Sequence, residues 1–330
     1  MSVTNLLISI HGINPVSEPK DLTKQFRDFF GRLSLSNRNL AALFPEENRL
    51  YIQWGQPLPD SPVTDLNTLG YAQQKIYELC NYDSVRTNPS PNSILLHQIL
   101  STDPVMLSKL AILMRENLVL FGFGDAVYYS SDEGEKIVRG FIYEQILNLL
   151  EKHKNDSEIR LHFIGHSLGV TVCHDLMYGL ASQENDYSPD YLNYPDISSE
   201  MKKSFSFWRN ELIQNGRLKI GSFTSMASQL PLFIMRKHKV MYNKILTNKK
   251  LSIQDLGILA DEEKIKWQLF YDIDDVLGFC TRPLYDDSKN NIKEIQVDCG
   301  DDPLTAHIGY FTNPTVIRET AKLLERNGKA

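Results

Sequence analysis

Short apolar runs alternate with longer amphipathic segments along most of the chain. The apolar runs have the length of strands and lie at 3–10, 50–54, 159–165, 217–223, 265–272 and 292–298. Apolar residues recur at helical spacing in 20–33, 134–153, 167–182 and 312–328. Strands that alternate with helices are typical of βαβ units, in which helices cover a parallel sheet. The pattern therefore predicts an α/β fold with a mostly parallel central sheet and helices on both faces.

Three segments interrupt this alternation, at 56–123, 183–215 and 225–264. A length of 330 residues is compatible with one domain or two. Because the predicted strands run from residue 3 to residue 298 and a helix follows them, we interpret residues 1–330 as a single domain. The three segments are then insertions, which we expect to form a helical cap over the sheet.

A G-x-S-x-G motif stands between the third predicted strand and the helix after it, as Gly165-His166-Ser167-Leu168-Gly169. In this context the motif predicts a nucleophile elbow, a sharp turn that exposes a reactive serine. A Cβ two residues before or after the serine would collide with the strand or the helix, so glycine is needed there. The positive end of the helix dipole would make the Leu168 N–H a donor to an oxyanion.

The segment HFIGHSLG (162–169), together with ISIHGINP (8–15), resembles the α/β-hydrolase fold, in particular its lipase and esterase members. In that family an early strand ends in His-Gly, and the next residue lends its backbone N–H to the oxyanion hole. The resemblance implies this role for Ile13, with Gly12 allowing a close approach of the backbone.

The base of a catalytic triad is sought among the histidines that follow Ser167, because α/β-hydrolases place the triad in the chain order Ser, Asp or Glu, His. These histidines are His174, His238 and His307. His307 alone follows every predicted strand, so we expect it to be the base, in a loop before the last helix. His174 is interpreted as a packing or surface residue and His238 as a solvated one.

Several carboxylates follow the predicted strand 265–272, namely Asp272, Asp274 and Asp275. The acid of α/β-hydrolases typically follows this strand, and the resemblance favours Asp275. Asp272 is the alternative, and the choice among the three stays open at this point. Asp301 and Asp302, near His307, are further candidates.

These residues predict a serine hydrolase that cleaves a carboxylic ester through an acyl-enzyme, with no cofactor and no metal ion. The cysteines, Cys80, Cys173, Cys280 and Cys299, are too far apart for a zinc motif. The apolar residues of the predicted cap favour a small-molecule or lipid ester with an apolar acyl chain. Two alternatives remain: an acyltransferase with the same triad, and a catalytically silent hydrolase-fold protein that acts in binding.

The charge and the hydropathy of the chain limit the kinds of partner that we expect it to bind. The chain has 35 Lys and Arg against 41 Asp and Glu, which argues against a nucleic-acid-binding protein. No window has the roughly 20 apolar residues that a transmembrane segment needs, and the first residues lack the features of a signal peptide. We therefore expect a cytoplasmic protein. The basic segment 236–250 is a candidate for peripheral contact with an anionic membrane surface.

Overall fold

The computed structural model describes residues 3–12, 22–54, 124–182, 198–234, 244–245, 247, 249–259 and 264–329. The chain divides into two compact units. The first comprises Met1–Gly12, Asp21–Gln53 and Arg139–Ala330, and the second comprises Ile13–Lys20 and Trp54–Val138.

The six predicted strands and the four predicted helices each have a counterpart among the described residues, in the predicted order, and the structure adds two short strands and several helices to them. The strands are β1 (Val3–Ile10), β2 (Arg49–Ile52), β3 (Glu158–His166), β4 (Leu218–Met226), β5 (Leu251–Ser252), β6 (Trp267–Tyr271), β7 (Tyr285–Asp286) and β8 (Ile292–Gln296). The helices are α1 (Leu22–Ser36), α2 (Leu40–Leu43), α3 (Gly124–Ser130), α4 (Asp132–Lys152), α5 (Leu168–Ala181), α6 (Ser199–Ile213), α7 (Leu230–Ile234), α8 (Pro303–Ile308) and α9 (Pro314–Lys329).

Among the described residues, six strands form one sheet in the order β2-β1-β3-β4-β6-β8, and every neighbouring pair is parallel. Strands β5 and β7 pair separately. The predicted α/β fold with a mostly parallel central sheet is therefore confirmed. The predicted strand boundaries differ from the observed ones by up to three residues. The largest difference is in β4, which continues to Met226 and so takes up the first two residues of the predicted insertion 225–264.

The order of the strands reverses its direction at β1. The next strand along the chain, β2, lies on one side of β1, whereas β3 lies on the other side. In an open parallel sheet, the connections that leave two such strands diverge and leave a crevice at their carboxyl ends. Ile10 pairs with Gly165 close to these ends, so Gly12 and Ser167 follow the two strands at the same edge of the sheet.

The two faces of the sheet carry different helices. Helices α1 and α9 pack together and share a buried apolar cluster with Leu7, Ile164, Met226 and Phe270, one residue from each of four neighbouring strands. Successive residues of a strand point to opposite faces. Gly165, the residue after Ile164, accordingly lies against α5. The sheet of the first unit is thus flanked by helices on both faces, as predicted.

Helix α6 lies inside the predicted insertion 183–215 and packs against α5 and β4. Its first turn is capped by Ser198, whose side chain accepts a hydrogen bond from the Met201 N–H at 3.1 Å. Residues 56–123 and 183–197 lie outside the described residues, as does most of 236–250. The cap and the single-domain interpretation therefore stay predictions.

The described part of the second unit consists of Trp54, α3 and the first turns of α4. The rings of Trp54 and Tyr129 pack with their centroids 6.0 Å apart. In the described part of the chain as a whole, no helix combines the length and the apolar character needed to cross a membrane.

Candidate active site

Ser167 forms the turn between β3 and α5 in a conformation that non-glycine residues rarely adopt. Its φ is 56° and its ψ is −130°, outside the usual regions for a residue with a side chain. Its backbone N–H donates to the carbonyl oxygen of Met226 at the end of β4, at 2.9 Å. The hydrogen bond fixes the turn to the neighbouring strand, and only 1% of Ser167 is exposed.

Glycines surround this turn because other parts of the backbone lie too close for a side chain. A Cβ on Gly165 would lie 2.7 Å from the Cα of Val170 in α5. A Cβ on Gly169 would lie 2.6 Å from the carbonyl oxygen of His11, and one on Gly12 would lie 2.5 Å from the Cβ of Ser167. Real Cβ atoms essentially never come so close, so all three positions need glycine.

His307 stands beside the serine hydroxyl, with its Nε2 atom 2.9 Å from Ser167 Oγ. It lies on the short helix α8, so the prediction of a loop at this position is wrong. Pro303 begins α8, and the carboxylate of Asp302 accepts a hydrogen bond from the Thr305 N–H at 3.1 Å. Proline at the first helical position and aspartate just before it are both favourable for starting a helix.

Asp275 accepts a hydrogen bond from His307 Nδ1 at 2.8 Å. The same carboxylate also accepts hydrogen bonds from the Leu277 N–H and the Tyr310 hydroxyl, both at 3.0 Å. Burial opposes ionisation of Asp275, but the hydrogen bonds, led by that from His307, outweigh it and hold its pKa below the ordinary value. With Nδ1 donating to a carboxylate, Nε2 is free to accept the serine proton.

The other two carboxylates after β6 have different surroundings. Asp272 is buried, and its oxygens accept hydrogen bonds from the backbone N–H groups of Asp274 and Cys299. Asp274 is exposed. Of these candidates, the structure therefore brings Asp275 to His307, whereas Asp272 holds the chain segments after β6 and β8 together.

His166, the second residue of the motif, contacts the backbone and the ring of His307. Its Nε2 donates to the backbone carbonyl oxygen of His307 at 2.7 Å, and the two rings lie with their centroids 5.0 Å apart. Burial, together with the nearby charge of His307, lowers the pKa of His166 to about 3, so this ring is neutral. Sequence reasoning gave no role to His166, because only the folded chain places α8 beside the end of β3.

Gln229 was not anticipated from the sequence either. It follows β4, is 3% exposed, and its side-chain Nε2 donates to Ser167 Oγ at 2.9 Å. No local motif marks this glutamine, since it is 62 residues from the serine along the chain. The serine oxygen thus has two side-chain partners, His307 and Gln229.

The region where an oxyanion would form is partly described. Leu168 is the first residue of α5, and the first N–H groups of a helix have no partner within the helix. Its N–H therefore has no acceptor within α5. Ile13 and His238 lie outside the described residues, so the roles predicted for them stay predictions. His174 is buried in α5, where its Nε2 lies in hydrogen-bond contact with the Tyr285 hydroxyl.

The described residues contain no cluster of three or more His, Cys, Asp or Glu side chains that could hold a metal ion. Cys173, Cys280 and Cys299 are free thiols.

The arrangement of Ser167, His307 and Asp275 can move a proton from Ser167 Oγ to His307 Nε2, with the resulting cation next to the Asp275 carboxylate.

Comparisons of this chain with models of protein families, with characterised proteins and with solved structures give no match. Any functional assignment therefore rests on the geometry of the residues themselves.

Proposed function

We propose that this protein is a serine hydrolase with an α/β-hydrolase fold, which cleaves carboxylic esters through an acyl-enzyme. The observation that carries the proposal is the continuous chain of hydrogen bonds from Ser167 Oγ through His307 to Asp275, with lengths of 2.9 and 2.8 Å. The position of Ser167 adds support, because ligands of open parallel sheets bind at the carboxyl ends of the strands where the strand order reverses.

In the proposed reaction, His307 Nε2 takes the proton of Ser167 while Oγ forms a bond to the carbonyl carbon of the ester. The tetrahedral intermediate collapses when the alcohol leaves and takes that proton from His307. Water then attacks the acyl-enzyme, again with His307 as the base, and releases the acid. Asp275 holds the reactive tautomer of His307 and stabilises its cation.

The negative charge of the tetrahedral intermediate would be bound by backbone N–H groups. Leu168 supplies one donor, and the resemblance to α/β-hydrolases implies Ile13 as the other. Loss of one such donor typically raises the barrier by about 3 kcal/mol. The preferred substrate is an ester with an apolar acyl chain or a lipid ester, an inference that rests on the apolar residues of the predicted cap.

The test is a series of p-nitrophenyl esters with increasing acyl length, combined with labelling by a fluorophosphonate. We expect turnover and labelling in the wild-type protein, and neither in Ser167→Ala. The matched control is Ser9→Ala, which removes a different buried serine, on β1, and should keep both turnover and labelling. A wild-type protein that neither hydrolyses any ester of the series nor reacts with the fluorophosphonate would refute the proposal. Transfer of the acyl group to an added alcohol, in preference to water, would identify an acyltransferase instead.

A further inference from the structure

The chain directly after β4 is held in an unusual conformation. Ala227 has a φ of 54°, and among the described non-glycine residues it shares a positive φ only with Ser167 and Asn290. Asparagine tolerates this region, whereas for alanine it is a strained conformation. Such strain persists only where the surroundings enforce it, and it is concentrated at functional sites. Of the three residues, Ser167 lies in the candidate active site, and Ala227 lies two positions before Gln229, which contacts Ser167.

Hydrogen bonds on both sides enforce this conformation. The Ala227 N–H donates to the Phe270 carbonyl oxygen of β6 at 3.2 Å. The carbonyl oxygen of Ser228 accepts a hydrogen bond from the Phe279 N–H at 2.9 Å, and its hydroxyl oxygen accepts one from Thr281 Oγ1 at 3.0 Å. The segment is therefore attached to β6 and to the chain that follows Asp275, and it carries Gln229 at a fixed position.

The side-chain amide of Gln229 donates a hydrogen bond to Ser167 Oγ, the oxygen that reacts in the proposed mechanism. A serine hydroxyl has one proton and two lone pairs. In the structure the proton is directed to His307 Nε2, and the Gln229 amide donates to one lone pair, at 2.9 Å each. The second lone pair is left for the carbonyl carbon of a substrate. The amide thus selects the orientation of the hydroxyl that suits attack.

We propose that Gln229 is a catalytic residue of this hydrolase, a side-chain hydrogen-bond donor to the nucleophilic oxygen; the proposal rests on the function given above. As the proton leaves Oγ for His307, negative charge develops on Oγ before the new bond to carbon is complete. A donor fixed beside the oxygen stabilises that charge. Gln229 transfers no proton at any step.

The same contact serves the second half of the reaction. When water attacks the acyl-enzyme, the bond from carbon to Oγ breaks, and its electron pair returns to Oγ. His307 then delivers the proton taken from the water, which restores the hydroxyl. By microscopic reversibility the donor that assists attack by Oγ also assists its departure, so both acylation and deacylation depend on Gln229.

The principal experiment compares Gln229→Met with Gln268→Met. Methionine keeps the length of glutamine and removes the donor. Gln268 is also buried but lies within β6, outside the hydrogen bonds of the site, and so provides the same substitution as a control. For Gln229→Met we expect a fall of kcat/KM by about 10- to 100-fold, with KM changed by less than about threefold, because a donor to a charged oxygen is lost. Labelling by a fluorophosphonate should slow by a similar factor.

A second variant, Gln229→Glu, separates the donor from the packing. An ionised carboxylate fills the same space but can only accept, so it competes with His307 for the serine proton and repels the developing charge, whereas the protonated acid that burial favours still donates. We therefore expect the activity of Gln229→Glu, relative to that of Gln229→Met, to fall as the pH rises and the carboxyl ionises; the thermal unfolding transitions of both variants show whether they are folded. If Gln229→Met does not fold, a Gln229→Glu protein whose activity relative to the wild type does not fall with rising pH overturns the proposal.

The remaining outcomes are distinct. A Gln229→Met protein with kcat/KM within threefold of the wild type, or with no greater loss than Gln268→Met, overturns the role of Gln229 and leaves the hydrolase proposal intact. A wild-type protein without turnover or labelling overturns both proposals together.

Discussion

At the residue scale, Asp272 and Asp275 show how a difference of three positions decides which carboxylate contacts His307. Both are at most 3% exposed, and both accept backbone hydrogen bonds after β6. Asp275 alone also accepts from His307 Nδ1. Gly278 permits this arrangement, because a Cβ there would lie 2.7 Å from an Asp275 carboxylate oxygen. The neighbouring Tyr310 hydroxyl completes the contact by donating to Asp275 and accepting from the Asp272 N–H.

The first prediction concerns these two carboxylates. Asp275→Asn should lower kcat by about 1,000- to 10,000-fold, because an amide facing Nδ1 favours the wrong tautomer of His307 and cannot stabilise its cation. Asp272→Asn, the matched control, changes a carboxylate that accepts from backbone N–H groups instead of from His307, and it should keep kcat within about tenfold. Steady-state kinetics with one ester gives kcat for both variants and for the wild-type protein. Equal losses in the two variants would contradict the assignment of Asp275.

At the element scale, the close packing of β3, α5 and β1 creates the elbow. Gly169 in the first turn of α5 lies directly against the carbonyl oxygens of Ile10 and His11, so the helix begins almost in contact with the end of β1. This proximity also brings Gly12 next to Ser167. The strained serine is therefore held by backbone on three sides, from β1, β4 and α5.

The second prediction tests this packing. Gly169→Ala should lower the free energy of unfolding by at least about 2 kcal/mol, because the atoms that its Cβ would meet are backbone and cannot rotate away. Gly31→Ala is the control: it lies in α1 with no atom within 4 Å of the added Cβ. There, alanine should raise stability by about 0.5 to 1 kcal/mol. Urea unfolding measures both, and an unchanged midpoint for Gly169→Ala would speak against the close approach.

At the scale of the whole molecule, a buried polar network joins distant parts of the first unit. His162 of β3 lies between Ser222 Oγ at 2.8 Å and Asn5 Oδ1 at 3.2 Å. The amide of Asn5 donates to the carbonyl oxygen of Gly328 in α9 at 3.1 Å, so its oxygen faces the imidazole. Nε2 then donates to Asn5, and in the neutral ring Nδ1 accepts from Ser222, so a neutral ring satisfies both contacts.

The burial of His162 makes stability depend on pH. Burial, reinforced by the charges of Arg160 and Lys266, lowers the pKa of His162 to about 3 from a value of 6.5 in the unfolded chain. Between these values the unfolded chain binds a proton that the folded chain does not. The full contribution to stability is therefore present above pH 6.5 and is lost as the pH falls towards 3. Each such histidine changes stability by about 1.4 kcal/mol per pH unit in this window.

The third prediction follows from that window. Between pH 6.5 and 5, His162→Gln should lose about 2 kcal/mol less stability than the wild-type protein, whatever its stability at neutral pH. Urea unfolding at both pH values gives the difference. The control is His153→Gln, at a partly exposed position, which should lose as much stability between the two pH values as the wild-type protein does. Parallel losses in wild type and His162→Gln would show that this ring is not the source.

The sequence by itself determined the order of the secondary structure, since periods of 2 and 3.6 residues report which faces are buried. Local rules also led to the serine turn and its glycines, and chain order led to His307. Asp275 was favoured over Asp272 only by resemblance, because both follow the same strand and their difference lies in which side chain faces His307.

Only the tertiary structure decided which distant residues join the site. Gln229 and His166 reach Ser167 and His307 through contacts between β3, β4 and α8, and their neighbours in sequence give no sign of this. The short helix at His307, by contrast, has local start signals in Asp302 and Pro303, which the hydrophobic pattern leaves out of account. Hydrophobic periodicity is a property of one segment, whereas a hydrogen bond across 62 or 141 residues depends on how the segments pack together.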